Sequence, residues 1–266
     1  MTSVLLSRVL GFVRTALIPI RMGGLSKVTD AYNAAFQIPD LMYSMLIGGA
    51  IASSLIPVLA GYVAKGEEKK GWRSISSFMN LISIIMFVVV ILGVIFAEPL
   101  VNMLVPGYDE QTILLTVQLT KTLMPIAFFM MLAGLCNGIM NSYNEFAVPA
   151  FGPCLYNLAS IISIAVFSNN DPADDYGVNK VVLGIVICAG LYFILQFAFS
   201  FKHFKHNYQP VIETRESDFK LLIVLAVPSL LTSMLVQVSL MVSRHFTAFF
   251  DVGSVTALEL VNKTWQ

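Results

Sequence analysis

The chain has 266 residues, 57% of them hydrophobic and only 12% charged, with 16 Lys and Arg against 16 Asp and Glu. A soluble domain carries about 25% charge, so this composition excludes an ordinary soluble enzyme, a disulfide-rich secreted scaffold and a disordered regulator. The balanced charge offers no basic excess for nucleic acid. Cys136, Cys154 and Cys188 lie in apolar stretches without CxxC spacing and read as small buried side chains, not as a disulfide framework or zinc ligands.

A bilayer span needs about 20 mostly apolar residues, and the apolar blocks are that long. Residues 1–23 form the first, with Arg8, Arg14 and Arg21 inside it. Charges within the apolar run, and no small-residue cleavage site after it, predict a retained span instead of a cleaved signal peptide. Residues 31–64 form a long second span that Pro39 and Pro57 should bend. Gly48, Gly49, Ala50, Ala52, Ser53 and Ser54 make a small-residue patch within it, where another helix can approach closely. Further spans are predicted over residues 75–96, 113–140, 148–167, 178–201 and 221–250, and an eighth begins near Ser254. The fold class is therefore an all-α polytopic membrane protein.

The connectors alternate in charge. Lys65, Lys69, Lys70 and Arg73 separate spans two and three, and Lys202, Lys205, Arg215 and Lys220 separate six and seven. The connectors on the other side carry acids: Glu98, Asp109 and Glu110, then Asp171, Asp174 and Asp175, then Asp251. Cationic connectors stay in the cytoplasm, which predicts a cytoplasmic N-terminus. The short connector with Glu145 carries no cation. His203 and His206 form an HxxH pair within Lys-His-Phe-Lys-His, read as a basic interfacial anchor in preference to a metal site.

Ionisable residues inside a membrane are costly and point to function. Arg8 and Arg14 sit deep in the first span; six positions apart, they should point about 120° apart on an ideal helix. Arg14 and Arg21 share a face. Asp30, read with Thr29, is a candidate cap for the span that follows, and Asp40 follows Pro39. Arg21, Lys121 and Arg244 are either cavity or interface groups that snorkel to the membrane surface, and Lys263 lies in the start of span eight. Cations from several helices around an interior cavity suit an anionic cargo, because guanidinium groups bind phosphate oxygens through paired donors. With no phosphate-binding loop, no nucleophile–base pair and no metal-ligand set, the physical expectation is a passive or ion-driven transporter, not an enzyme.

Four segments resemble one family, the lipid II flippases MurJ/MviN of the multidrug/oligosaccharidyl-lipid/polysaccharide exporter superfamily. They are Ser7-Arg8-Val9-Leu10-Gly11-Phe12-Val13-Arg14; Thr29-Asp30-Ala31-Tyr32 leading to Phe36-Gln37-Ile38-Pro39; Asn141-Ser142-Tyr143-Asn144-Glu145-Phe146-Ala147-Val148-Pro149-Ala150-Phe151 with Pro153 and Asn157; and Gly253-Ser254-Val255-Thr256-Ala257-Leu258. The resemblance implies a fourteen-helix protein whose two six-helix lobes alternate between inward-open and outward-open states, followed by a final helix pair. Residues 1–201 would be the first lobe with helices one to six, 202–220 a cytoplasmic linker, and 221–266 helix seven and the start of helix eight. The implied cargo is an undecaprenyl-pyrophosphate-linked cell-wall precursor, lipid II or a similar glycolipid, held by Arg8, Arg14 and Lys263. Asp30 would serve as a gate or as the partner of an arginine. No cofactor is implied; the drive would be the membrane potential or a cation gradient. The location would be the bacterial cytoplasmic membrane, with membrane lipids and other cell-wall synthesis proteins as partners.

The sequence departs from the family in places. Tyr43, Ser44 and Gly48 stand where relatives often carry an Arg pair and a Glu, Ser243 stands where an acid often precedes Arg244, and Lys263 replaces an arginine. The length matches only the first lobe, helix seven and a stub, so a fragment of a longer protein is expected, one that does not flip lipid alone. The alternatives are a flippase for another lipid-linked oligosaccharide, a drug antiporter of the superfamily, disfavoured by the cationic cavity, or a non-transporting membrane scaffold derived from a flippase.

Overall fold

The computed structural model describes residues 2–44, 51–215 and 217–265, and the side chains among them except those of residues 2, 4, 217 and 263–265. Among the described residues every regular element is helical. The first span is α1 (Thr2–Arg21), and the second is divided into α2 (Lys27–Ala35), α3 (Gln37–Ser44) and α4 (Ile56–Lys65). Then come α5 (Glu68–Ile95), the short α6 (Ala97–Leu104), α7 (Glu110–Ser142), α8 (Ala147–Phe167), α9 (Val178–Asn207), α10 (Ser217–Thr247) and α11 (Ser254–Trp265). Helices α5, α7, α8, α9 and α10 are long and apolar enough to cross a membrane. Helix α1 is also 20 residues long, but Arg8, Arg14 and Arg21 interrupt its apolar character.

The divisions of the second span have local causes. Ser26 caps α2, its hydroxyl accepting from Thr29 N–H while Thr29 Oγ1 accepts from Ser26 N–H at 2.9 Å. The cap is thus Ser26 with Thr29, and Asp30 is left for another task. Pro39 has no N–H to donate backwards, so the chain breaks at Phe36 and restarts as α3, with Asp40 N–H donating to Phe36 O at 2.9 Å. Residues 51–55 form a wide π-type turn, and Pro57 sits in the first turn of α4, where a missing N–H costs nothing. Of the predicted small-residue patch, Gly48, Gly49 and Ala50 lie outside the described residues. Ser53 hydrogen-bonds to Leu225 O of α10 at 3.2 Å. The close approach to α7 rests on a glycine of the other helix: a Cβ on Gly138 would stand 2.7 Å from Ile51 Cγ2.

Helix α7 is the axis. Its Met124, Ala127, Met131, Leu135 and Ile139 join one apolar core with α4, α5 and α6. Its Leu119, Leu123, Ile126 and Ala133 join a second core with α1, α2, α8 and α9. A helix buried on two faces must be apolar most of the way round, and this one is. By contrast α10 exposes Val224, Leu231, Leu235 and Val236 along its length.

The basic end of the bundle, with Lys65 and Arg73, is tied by the connector between α9 and α10. Ser76 Oγ accepts from Gln209 N–H at 3.1 Å and Ser77 Oγ from Glu213 N–H at 3.0 Å, and Arg73 makes a paired contact with Glu213 at 2.6 and 2.5 Å. His203 stacks on Tyr143 with ring centroids 3.9 Å apart and faces Glu145 at 3.2 Å, which Lys202 also meets at 2.6 Å. Burial opposes ionisation of Glu145, but the Lys202 hydrogen bond and the His203 charge outweigh it and hold this carboxyl below its usual range. The three cysteines are free thiols.

Candidate anion-binding cavity

The first-span motif divides its residues between two jobs. Ser7 O accepts from Asn157 Nδ2 of α8 at 3.2 Å, and a Cβ on Gly11 would lie 3.7 Å from the same amide nitrogen. These two positions seat α1 on α8. Arg8 and Arg14 line a cavity of about 540 Å³ bounded by α1, α3, α7, α8, α10 and α11. The ideal-helix angle between these two arginines does not keep them apart: both reach this cavity, because its wall covers a wide arc of α1 and the side chains are long.

Arg14 stands with its guanidinium carbon 5.8 Å from the centroid of the Tyr156 ring. That is a cation–π contact, and it leaves the N–H groups uncommitted. No described residue accepts a hydrogen bond from the Arg14 guanidinium. An arginine that lines a cavity, braced by a ring and short of acceptors, presents the paired donors that phosphate oxygens accept from.

Arg244 of α10 lines the same cavity under opposite circumstances. Its Nη2 lies 2.5 Å from Glu259 Oε2 of α11, and both side chains are largely buried, at 15% and 16% exposure. Hydrogen-bond logic turns the Gln37 amide oxygen of α3 toward Arg244, where it accepts from Nε at 2.6 Å and from Nη1. Arg244 is therefore held inside the protein and does not snorkel. Asp40 adds a second carboxylate to the cavity wall.

Gln37 is also the end of a polar ladder. Asp30, Asn33 and Gln37 follow at three- and four-residue spacing on α2 and α3, and all meet α10 or α11. Asp30 accepts from Gly253 N–H at 2.6 Å, Thr256 N–H at 2.9 Å and Thr256 Oγ1 at 2.7 Å. Asn33 donates to Thr256 Oγ1 at 3.0 Å. Asp30 thus caps α11, 226 residues further on, not the helix on which it stands. Its side-chain hydrogen-bond partners among the described residues are these groups of Gly253 and Thr256, and no arginine is one of them.

The remaining sequence-predicted residues scatter. Arg21 donates to Ser168 Oγ at 3.1 Å and Ala165 O at 2.9 Å, at the end of α8 and outside the cavity lining. Lys121 is exposed on α7, also away from that lining. Lys263 lies on α11, but its side chain is outside the described residues. Tyr43 and Ser44, the departures from the family pattern, both line the cavity. Ser243 donates to Ser239 O at 3.0 Å, and the acid beside Arg244 comes from Glu259. Glu259, Gln37 and Tyr156 are site residues that sequence reasoning missed. Glu259 carried a usable signal, an acid in an apolar stretch; Gln37 and Tyr156 did not stand out from their motifs.

Comparison with known proteins agrees with this architecture. A family model described as lipid II flippase MurJ matches residues 22–266. A probable lipid II flippase MurJ of Buchnera aphidicola subsp. Acyrthosiphon pisum is 31% identical over 258 residues, covering 95% of this chain and 49% of the relative. The lipid II flippase MurJ of Burkholderia cenocepacia is 27% identical over 271 residues, covering 98% and 51%. The chain spans about half the length of the curated relatives it matches. Among solved structures, a lipid II flippase MurJ in an inward closed conformation superposes with a TM-score of 0.78 at 25% identity, over 99% of this chain and 53% of that one. An inward-facing multidrug resistance transporter of the MATE family gives a TM-score of 0.72 at 15% identity, over 97% and 57%, a likeness of fold alone.

Proposed function

This chain belongs to the lipid II flippase family MurJ, and on that premise we propose that it supplies the first lobe and the opening of the second lobe of a flippase for lipid II. Residues 1–201 are the first lobe, 202–220 the linker and 221–266 the start of the second lobe. The protein spans the bacterial cytoplasmic membrane several times with its N-terminus inside, as the alternating charge of the connectors supports. It carries out no catalytic step.

The observation that carries this reading is Arg14, braced on Tyr156 in a cavity with its donors uncommitted. Arg14 and Arg8 hold the pyrophosphate of the cargo, with Lys263 as a third cation. The polyprenyl tail remains in the bilayer while the polar head crosses, so the cavity opens sideways. Asp30 is the latch at the acidic end: its bonds to Gly253 and Thr256 close α2 onto α11. Opening toward that side requires these bonds to break. The membrane potential or a cation gradient biases the exchange between states.

A second reading, a flippase for a different lipid-linked oligosaccharide, is favoured by Tyr43 and Ser44, which give the cavity wall neutral groups beside the arginines. The test uses the full-length protein in a bacterium depleted of its own lipid II flippase. Wild type restores growth, Arg14→Ala does not at equal membrane abundance, and Arg14→Lys restores it in part. Normal growth with Arg14→Ala would remove Arg14 from the cargo site. Failure of wild type to restore growth would favour the second reading.

A further inference from the structure

Two arginines of the cavity wall, Arg14 and Arg244, differ in one respect the proposed function leaves unused. Arg14 has no protein acceptor among the described residues, whereas Arg244 is already occupied. Its guanidinium bridges Glu259 of α11 and Gln37 of α3, within the same cavity wall as Arg14. A carboxylate and a phosphate are competing partners for a guanidinium, since both accept paired N–H donors. The Glu259 carboxylate is also joined to the latch by a short stretch of helix. Glu259 lies three residues, or about one turn, beyond Thr256, which bonds Asp30. At its cavity end, the ladder from Asp30 through Asn33 to Gln37 finishes on Arg244 itself.

Building on the lipid II reading, we propose that Glu259 is a resident counter-ion that occupies Arg244 while the cavity is empty and that the pyrophosphate of the cargo displaces. In the empty state the pair fastens α11 to α10, and Gln37 fastens Arg244 to α3. When a phosphate group takes the guanidinium, Glu259 gives up its bond to Arg244, and the tie between α11 and α10 opens at the cavity end of the ladder. Glu259 is a positioning residue here: it touches Arg244 and not the cargo, and like-charge repulsion keeps it away from a phosphate. The exchange makes binding weaker than an Arg244 without its carboxylate would give. In return, it links occupancy of the cavity to α11, the helix that Asp30 fastens to α2.

The experiment measures binding of inorganic pyrophosphate to the detergent-solubilised full-length protein by titration calorimetry, at fixed salt. Glu259→Gln removes the competitor and should tighten binding about tenfold, a shift typical of a coupling between sites. Glu259→Asp withdraws the carboxylate by one methylene and should tighten it less; this variant decides the matter if Glu259→Gln does not accumulate. The diagnostic result is non-additivity: in an Arg244→Gln background, Glu259→Gln should change the affinity by less than about twofold. Wild-type affinity in both Glu259 variants would overturn the proposal, and so would a tightening that persists without Arg244. Arg14→Ala, measured alongside, separates the two readings. If it leaves pyrophosphate binding intact, the cargo site itself is misplaced; if it abolishes binding while the Glu259 variants behave as wild type, only the counter-ion role falls.

Discussion

Arg14 and Arg244 are the same side chain in the same cavity, and their surroundings make them opposites. Arg14 rests against a tyrosine ring and no described residue accepts its N–H groups; Arg244 is clamped by a carboxylate and an amide from two other helices. Removing Arg14 therefore takes a hydrogen-bond donor from no described residue, whereas removing Arg244 takes a charged partner from Glu259 and donors from Gln37. A charge in this cavity can thus stand uncommitted or be engaged by the fold from the start, and the hydrogen-bond partners distinguish the two.

The largest effect that would break this contrast is on stability. Arg244→Ala should cost about 3 kcal/mol, the lower range for a buried pair robbed of one partner, because both side chains keep a little exposure. Thermal unfolding of the full-length protein in detergent would show this as a lower midpoint. The double variant Arg244→Ala with Glu259→Ala should recover part of the loss. A midpoint unchanged by Arg244→Ala would mean the pair holds nothing together.

Asp30→Ala comes next. It leaves two N–H groups at the start of α11 and the Thr256 hydroxyl without their acceptor, at a cost of about 1–3 kcal/mol. Because the loss falls on the contact between α2 and α11, a cysteine placed at Val255, which is buried, should become reactive to a membrane-impermeant maleimide. Unchanged protection at that position would show that other contacts close the acidic end. Arg14→Leu, which forfeits a cation–π contact and no hydrogen bond to a described residue, should then alter stability by no more than about 1 kcal/mol, while abolishing complementation. A marked loss of stability here would make Arg14 a structural residue like Arg244.

The smallest effect concerns the rim of the latch. Lys27 Nζ lies 3.0 Å from Asp109 Oδ1, and both side chains are about half exposed. The Thr112 hydroxyl, followed by Lys27, holds the Asp109 carboxyl below its ordinary value. A depressed carboxylate contributes stability above its unfolded pKa and loses it as pH falls through its folded pKa. The contribution should therefore begin to fade below about pH 4 and be lost as pH falls through the lower folded value, and as an exposed pair it is worth only a few tenths of a kcal/mol. A Lys27→Met variant whose midpoint falls relative to wild type more at pH 7 than at pH 3 would confirm the sign.

The span pattern was legible because bilayer-length apolar runs and proline positions are local properties. Pro39 and Pro57 marked the divisions of the second span, and Arg8 and Arg14 were conspicuous as charges within an apolar run. The role of Asp30 was not legible. From neighbouring residues alone it looked like a cap for its own helix, but Ser26 had taken that place, and the helix it caps begins at Ser254.

What the sequence determined by itself is which segments are helices, where they must break and which charges are too costly to sit in lipid, since each follows from composition over a few turns. Only the tertiary structure decided which of those charges is engaged. Glu259 reaches Arg244 across the α10–α11 turn, and Gln37 reaches it from the other end of the chain. Whether a guanidinium is held or left free depends on acceptors within about 3 Å, a distance that spacing along the chain does not encode when the partners stand on different helices.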